Sequence, residues 1–173
     1  MKHLLIPTDF SIQSLNAVYA AIAKYGDTQL KITLFHLLAP SHDITDILFA
    51  YKRSKPHDAI NENFKEAYQI LQNRYNSRIH SITVKFGYGN TAAYLKNLLE
   101  GEKVDHVIFM ADSVLQLPMA KSIEMLPLFR KTGFPLDVIS AKSKKDVDIS
   151  AISMMNRNEI KPFKTEKSYV TEK

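Results

Sequence analysis

The sequence contains no cysteine and no tryptophan, and only five of its 173 residues are glycine. The absence of cysteine excludes a disulfide scaffold, a thiolate zinc site, an iron–sulfur cluster and a cysteine nucleophile. No apolar run reaches roughly 18 residues, the length of a membrane-spanning helix, and no charged-then-apolar leader stands at the N-terminus. We therefore expect a soluble, cytoplasmic protein that makes no membrane contact.

Charge is modest and unevenly placed. The net charge is +5, of which residues 1–141 carry +2 and residues 142–173 carry +3. The basic character thus belongs largely to the C-terminal segment, and the remainder of the chain shows no electrostatic preference for nucleic acid. Hydrophobic residues make up 45% and charged residues 24% of the chain, as in globular proteins.

Short apolar runs alternate with segments of helical spacing along residues 1–141. Strands are predicted at residues 3–6, 31–38, 82–86 and 104–111 and from Phe134 to Ala141. Helices are predicted from Leu15 to Gly26, from Ile60 to Tyr75, from Ala92 to Gly101 and over residues 113–132. This alternation predicts an α/β domain with an open five-stranded parallel sheet and helices on both faces.

Two parts of the chain do not fit this alternation. Residues 39–56 predict a long connection with one helical turn, which either covers the end of the sheet or binds a protein partner. Residues 142–173 lack glycine and show no sustained period of 2 or 3.6. They form either a solvated polar tail or an arm that docks on the domain or on a partner chain.

Ligands of open α/β sheets bind beyond the carboxyl ends of the strands, where the strand order reverses. Asp9 follows the first strand and precedes Ser11, a candidate N-cap. Its carboxylate either binds a ligand or fixes its own turn. His36 lies among Leu and Phe, which favours a core histidine bonded to a backbone carbonyl. The six histidines show no metal-binding spacing, and no nucleophile or phosphate-loop motif occurs.

Residues 1–11 (MKHLLIPTDFS) resemble the opening of the universal stress protein family. The likeness continues through residues 31–37, 86–98, 107–110 and 133–140, and it covers essentially all of residues 1–141. It implies a fold of the adenine nucleotide alpha hydrolase type, which often dimerises through the last strand. In members that bind ATP, the aspartate after strand one contacts adenine, and a glycine-rich stretch after strand four holds ribose and phosphates. The corresponding positions here are Pro7, Thr8, Asp9, Leu37, Met110, Ala111, Asp112, Lys121 and Ser122.

The glycines of the phosphate-binding stretch are missing. The chain has Ala111, Asp112, Ser113 and Val114 there, and Lys121-Ser122 takes the final place if the loop is shortened. Glycine lets backbone N–H groups approach phosphate oxygens and allows positive φ, which strains a β-branched valine. Asp112 adds like charge, which at about 4 Å and an effective dielectric of about 20 costs of order 4 kcal/mol. We expect no ATP binding of useful affinity.

Three functions follow from these features. The first is a non-catalytic stress-response or regulatory domain without a cofactor, dimeric through the strand from Phe134 to Ala141. The second is a module that binds AMP, adenosine or a cyclic nucleotide weakly, with Asp9 at the base and Lys121 and Ser122 at phosphate. The third is a hydrolase that uses Asp9 with a nearby histidine or Asp112, for which no acid–base spacing is visible.

Overall fold

One parallel sheet organises the molecule. The computed structural model describes residues 1–40, 60–111 and 114–140. Its strands lie in the order β3-β2-β1-β4-β5, and every neighbouring pair is parallel. They are β1 (Lys2–Pro7), β2 (Leu30–Leu38), β3 (Ile79–Tyr88), β4 (His106–Met110) and β5 (Leu136–Ile139). The predicted five-stranded parallel sheet is confirmed.

Helices cover both faces of this sheet. A 3₁₀ helix (Ile12–Leu15) leads into α1 (Asn16–Tyr25), and the other helices are α2 (Glu62–Arg74), α3 (Ala92–Gly101) and α4 (Leu126–Lys131). Helices α1 and α2 contribute to one buried apolar cluster, and α3 and α4 contribute to a second. The predicted arrangement on two faces is therefore also confirmed.

The alternation of side chains along β1 separates the two clusters. Leu4 and Ile6 belong to the cluster under α1 and α2, whereas Leu5 belongs to the cluster under α3 and α4. All three side chains are fully buried. Successive strand residues point to opposite faces, so a strand covered on both sides needs an unbroken apolar run. This is why a run as short as residues 3–6 identifies the central strand.

The predicted helix over residues 113–132 is wrong in its first half. Of the residues described there, only Leu126–Lys131 are α-helical, and residues 114–123, which we call the closing segment, are not. Pro118 has no N–H to donate and disfavours helical geometry at Leu117. Within this segment, Ser122 forms an isolated antiparallel bridge with Leu38 at the end of β2.

The predicted strand from Phe134 to Ala141 is shorter in the structure, because β5 spans Leu136–Ile139. The strand predicted at residues 82–86 is longer in the structure, because β3 spans Ile79–Tyr88. Residues 41–59, 112–113 and 141–173 lie outside the described residues. Most of the predicted 39–56 connection and the whole C-terminal segment are among them. None of the helices in the described ranges is long and apolar enough to cross a membrane.

The order of the strands places the candidate site. The chain proceeds from β1 outward through β2 to β3, and it then returns to the other side of β1 with β4 and β5. The order therefore reverses between β1 and β4, and the connections that follow these two strands diverge. A crevice at this point is the usual place for a ligand in such sheets.

We predict that Gly87→Ala destabilises the protein. A Cβ on Gly87 would lie 2.8 Å from Cε2 of Phe35 and would also collide with Cζ of the same ring. Overpacking a core in this way costs about 1–3 kcal/mol of the free energy of unfolding, measurable by urea denaturation. Gly101→Ala is the matched control, since a Cβ there meets nothing within 4 Å and alanine favours the helix. An unchanged stability in Gly87→Ala would contradict the packing described here.

Candidate functional site

The loop after β1 is fixed by its own side chains. The Oγ1 of Thr8 accepts a hydrogen bond from Phe10 N at 3.0 Å and pairs with the Ser14 hydroxyl at 2.8 Å. Ser11 accepts a hydrogen bond from Ser14 N at 3.1 Å through its side chain. The prediction of Ser11 as an N-cap is thus confirmed, and the element that it caps is the 3₁₀ helix that precedes α1.

Asp9 uses both of its carboxylate oxygens inside the protein. Oδ1 accepts hydrogen bonds from Ser11 N at 2.9 Å and from the Ser11 hydroxyl at 2.6 Å. Oδ2 accepts a hydrogen bond from Gln116 N at 2.9 Å, across 107 positions of sequence. Burial raises the pKa of Asp9, but the hydrogen bonds from Ser11 and Gln116 outweigh it and hold the pKa below its usual value. Asp9 therefore fixes its own turn and also binds the closing segment.

Phe10 carries the strain of this turn. Its φ is 61°, in the left-handed region that a bulky side chain rarely adopts. Its ring is 2% exposed and contacts the rings of His36 at 5.1 Å, Phe86 at 5.3 Å and Phe64 at 5.7 Å between centroids. Packing of this ring in the core offsets the unfavourable backbone, and it fixes one side of the His36 environment.

His36 links the loop after β1 to the closing segment. Its Nδ1 lies 2.6 Å from the carbonyl oxygen of Thr8, which can only accept a hydrogen bond, so Nδ1 carries the proton. In the neutral ring Nε2 then accepts from the Ser122 hydroxyl at 2.9 Å. The predicted core histidine bonded to a carbonyl is confirmed. Burial lowers the pKa of His36, against weaker opposing effects of the Thr8 carbonyl and Asp9.

The closing segment also pairs with β2 through its backbone. Ala39 N donates to the carbonyl of Lys121 at 2.8 Å, and Ile123 N donates to the carbonyl of Leu37 at 3.0 Å. The Ser122 hydroxyl between them accepts a further hydrogen bond from Met119 N at 3.1 Å. The segment therefore binds at the carboxyl ends of β1 and β2, where a ligand of this type of sheet would lie.

Little space remains under the segment. A cavity of about 10 Å³ lies between the end of β4, the start of α1 and Leu115, and it is lined by Pro7, Ser14, Ala17, Ile108, Phe109, Met110 and Leu115. This volume holds about one water molecule, whereas pockets for small molecules and cofactors measure roughly 300–1,000 Å³. The cavity beside Leu115 is therefore too small for a nucleotide.

The structure brings some of the predicted site residues together and separates others. Asp9 and Leu37 contact the closing segment and Ser122 belongs to it, whereas Thr8 is linked to it only through His36. Pro7 and Met110 line the small cavity. Ala111 instead donates its N–H to the carbonyl of Ile139 at 2.8 Å. The Lys121 side chain is exposed. Asp112 lies outside the described residues.

The sequence did not reveal the groups that hold this end of the sheet closed. Gln116 and Met119 contribute backbone N–H groups, which have no signature in the side-chain pattern. Pro118 was the usable signal, because a proline in the middle of an expected helix indicates a different conformation. In the described part of the chain, no group of three or more His, Asp or Glu side chains could hold a metal ion.

We predict that His36 makes the protein less stable in acid. Since its pKa is lowered by folding, the unfolded state binds more protons once the pH falls below about 6.5, and the free energy of unfolding then decreases. His36→Gln removes this contribution. Its stability at pH 7.5 falls by about 1–3 kcal/mol through lost hydrogen bonds, and it changes less between pH 7.5 and 5.5 than that of the wild type.

Urea denaturation at both pH values measures this difference. The buried His3, whose pKa is also lowered, mainly by burial, acts in the same direction and is present in both proteins. His80→Gln is the control because His80 is exposed and both buried histidines remain. An equal acid sensitivity in His36→Gln and in His80→Gln would contradict the assignment to His36.

Known proteins resemble this chain in fold rather than in sequence. No family model matches the chain, and no curated protein matches it at a significant level. Among solved structures, the hypothetical protein MJ0577 matches with a TM-score of 0.51 at 16% identity, covering 83% of this chain and 98% of that one. The universal stress protein UspA from Lactobacillus plantarum matches with a TM-score of 0.49 at 15% identity, covering 80% and 96%.

A third solved structure, a universal stress protein in complex with cAMP, matches with a TM-score of 0.43 at 19% identity, covering 80% of this chain and 96% of that one. Identities this low concern the fold alone. The open five-stranded parallel sheet of this chain, with helices on both faces, is thus a fold that it shares with MJ0577.

Proposed function

We propose that this chain is a non-catalytic regulatory domain of universal stress protein type that works through protein contacts. The observation that carries the proposal is the closing segment at the carboxyl end of the sheet. Gln116 N donates a hydrogen bond to Oδ2 of Asp9, and the Ser122 hydroxyl donates one to Nε2 of His36. The carboxylate that would recognise a nucleotide base is thereby satisfied by the chain itself.

The residues after β4, where the phosphates of a nucleotide would bind, support the same conclusion. Ala111 and Val114 stand where glycines would let backbone N–H groups approach a phosphate, and Asp112 between them adds a negative charge. The Val114 side chain is 89% exposed, so the segment presents an apolar surface where a hydrated triphosphate would lie. This combination disfavours ATP and leaves the domain without a working phosphate loop.

The Ser122–His36 pair does not make a hydrolase. A serine hydroxyl 2.9 Å from an imidazole nitrogen is the geometry of a nucleophile and its base. Here, however, His36 is only 1% exposed, and the group that orients it is the neutral carbonyl of Thr8. The Ser122 oxygen also accepts a hydrogen bond from Met119 N. The pair fixes the closing segment, which supports a non-catalytic role.

We predict that ATP, ADP, AMP, adenosine and cAMP leave the melting temperature unchanged at millimolar concentration. A ligand at 100 times its Kd would stabilise the protein by about 2.7 kcal/mol, a rise of several degrees in a chain of this size. Differential scanning fluorimetry measures this. A rise with AMP or adenosine, abolished in Asp9→Ala, would instead support the nucleotide-binding alternative with Asp9 at the base.

The surface for self-association is the outer edge of β5. Among the described residues, this strand pairs with β4 on one side only, and Val138 is 49% exposed. Its Asp137 instead binds Lys24 Nζ at 2.7 Å and the Tyr25 hydroxyl at 3.0 Å. Burial and Asp137 together raise the pKa of Tyr25 to about 12. The Asp137 carboxylate of β5 is thus paired with residues of α1. The outer edge of the strand is apolar, and a second copy of the chain can pair with it there.

We predict a homodimer at micromolar concentration that Val138→Lys converts to a monomer. A lysine on an edge strand opposes pairing with a second strand because its charge would have to be buried. Sedimentation equilibrium gives the mass. Tyr88→Lys is the matched control, since Tyr88 is 40% exposed at the opposite edge of the sheet, on β3. A monomeric wild type, or equal dissociation in both variants, would exclude the β5 interface.

A further inference from the structure

We propose that the carboxyl end of the sheet is an acceptor site for an extended peptide, and that the closing segment is its occupant in the same chain. The partner that fits is a segment of another protein that pairs with the end of β2 through its backbone and carries a serine placed as Ser122 is. This inference rests on the proposed function, because it names the kind of partner that a domain without a nucleotide would bind.

The contacts made by the closing segment are those of a bound peptide. Lys121 and Ile123 each exchange one backbone hydrogen bond with the end of β2, and Ser122 between them is bridged to Leu38 in antiparallel fashion. Main-chain pairing of this kind is how sheet edges and ends bind extended peptides, while side-chain contacts select the sequence. Here the contact that selects the sequence is the hydrogen bond from the Ser122 hydroxyl to His36.

The acceptor groups are also held by residues outside the segment. Two hydrogen bonds from Ser11 fix Oδ1 of Asp9 and leave Oδ2 as the oxygen that accepts from Gln116. The carbonyl of Thr8 and the ring of Phe10 fix His36. Sites whose groups are already oriented lose little entropy when a ligand binds, and this favours an exchangeable occupant.

The internal hydrogen bonds of the segment lie in one turn, in which Ser122 N donates to the Met119 carbonyl at 2.9 Å. Its residues 114–118 belong to no helix or strand. The side chains of Val114 and Leu117 are 89% and 56% exposed. Four hydrogen bonds link the segment to the acceptor groups: Gln116 to Asp9, Ser122 to His36, and two backbone bonds to β2. A peptide that reproduces these four bonds replaces the segment at no net loss of hydrogen bonds.

The obstacle to exchange is that the resident segment is tethered. Its effective concentration at the site is of the order of millimolar, so a free peptide with identical contacts competes only at comparable concentration. A variant that weakens the resident segment and leaves the acceptor groups untouched should therefore bind the free peptide more tightly. Ser122→Ala does this, since it removes the hydroxyl that donates to His36 and accepts from Met119 N within the segment.

The experiment uses the full chain and a fluorescent peptide with the sequence of residues 114–125. Fluorescence anisotropy should give a Kd for Ser122→Ala about tenfold lower than for the wild type, the ratio that one hydrogen bond supplies. The same peptide with alanine in place of its serine is the control, and it should lose this advantage. Gln116→Pro, which removes the N–H that Asp9 accepts, provides a second weakened segment if Ser122→Ala does not fold.

Two outcomes would overturn the proposal. One is the absence of binding by the serine peptide at millimolar concentration in a folded variant, and the other is equal binding of the serine and alanine peptides. The nucleotide panel is run on the same variants. Peptide failure without nucleotide binding removes only this inference, whereas a melting shift with nucleotides on the wild type removes the proposed function.

Discussion

The buried carboxylate of Asp9 is the interaction on which the carboxyl end of the sheet depends. A buried charge is costly unless its oxygens accept hydrogen bonds, and Asp9 obtains them from two parts of the chain that are 107 positions apart. Ser11 supplies the local ones and thereby sets the turn that leads into α1. Gln116 supplies the distant one, so the folding of this turn and the position of the closing segment are coupled.

His36 extends this coupling across the core. The turn at Asp9 places Phe10 at positive φ, and the Phe10 ring in turn packs against His36. With Nδ1 bound to the Thr8 carbonyl, the imidazole has one nitrogen left, and it points at Ser122. The closing segment is thus bound at both ends to residues whose geometry is determined by the loop after β1. Groups that are linked by hydrogen bonds and packing contacts in this way are energetically coupled. Removing one hydrogen bond therefore weakens the others as well.

Most of the fold could be predicted from the sequence because it follows from local periodicity. The apolar run at residues 3–6 required burial on both faces, and the four-residue steps from Ile60 onward required an amphipathic helix. The closing segment could not be predicted in the same way. Its conformation depends on backbone N–H groups that meet Asp9 and β2 only in the folded chain, and local spacing favoured a helix that Pro118 does not allow.

The candidate site shows why a motif after strand one does not by itself identify a ligand. Asp9 needs donors for Oδ2 in any folded state, and either a bound base or a backbone N–H of the chain meets that need equally well. The residues after β4 decide between them. In this chain Leu115 borders the small cavity beside β4, and Ser122 meets His36 at the end of β2. The same requirement of one buried carboxylate is therefore compatible with a nucleotide site and with a site that the chain itself occupies.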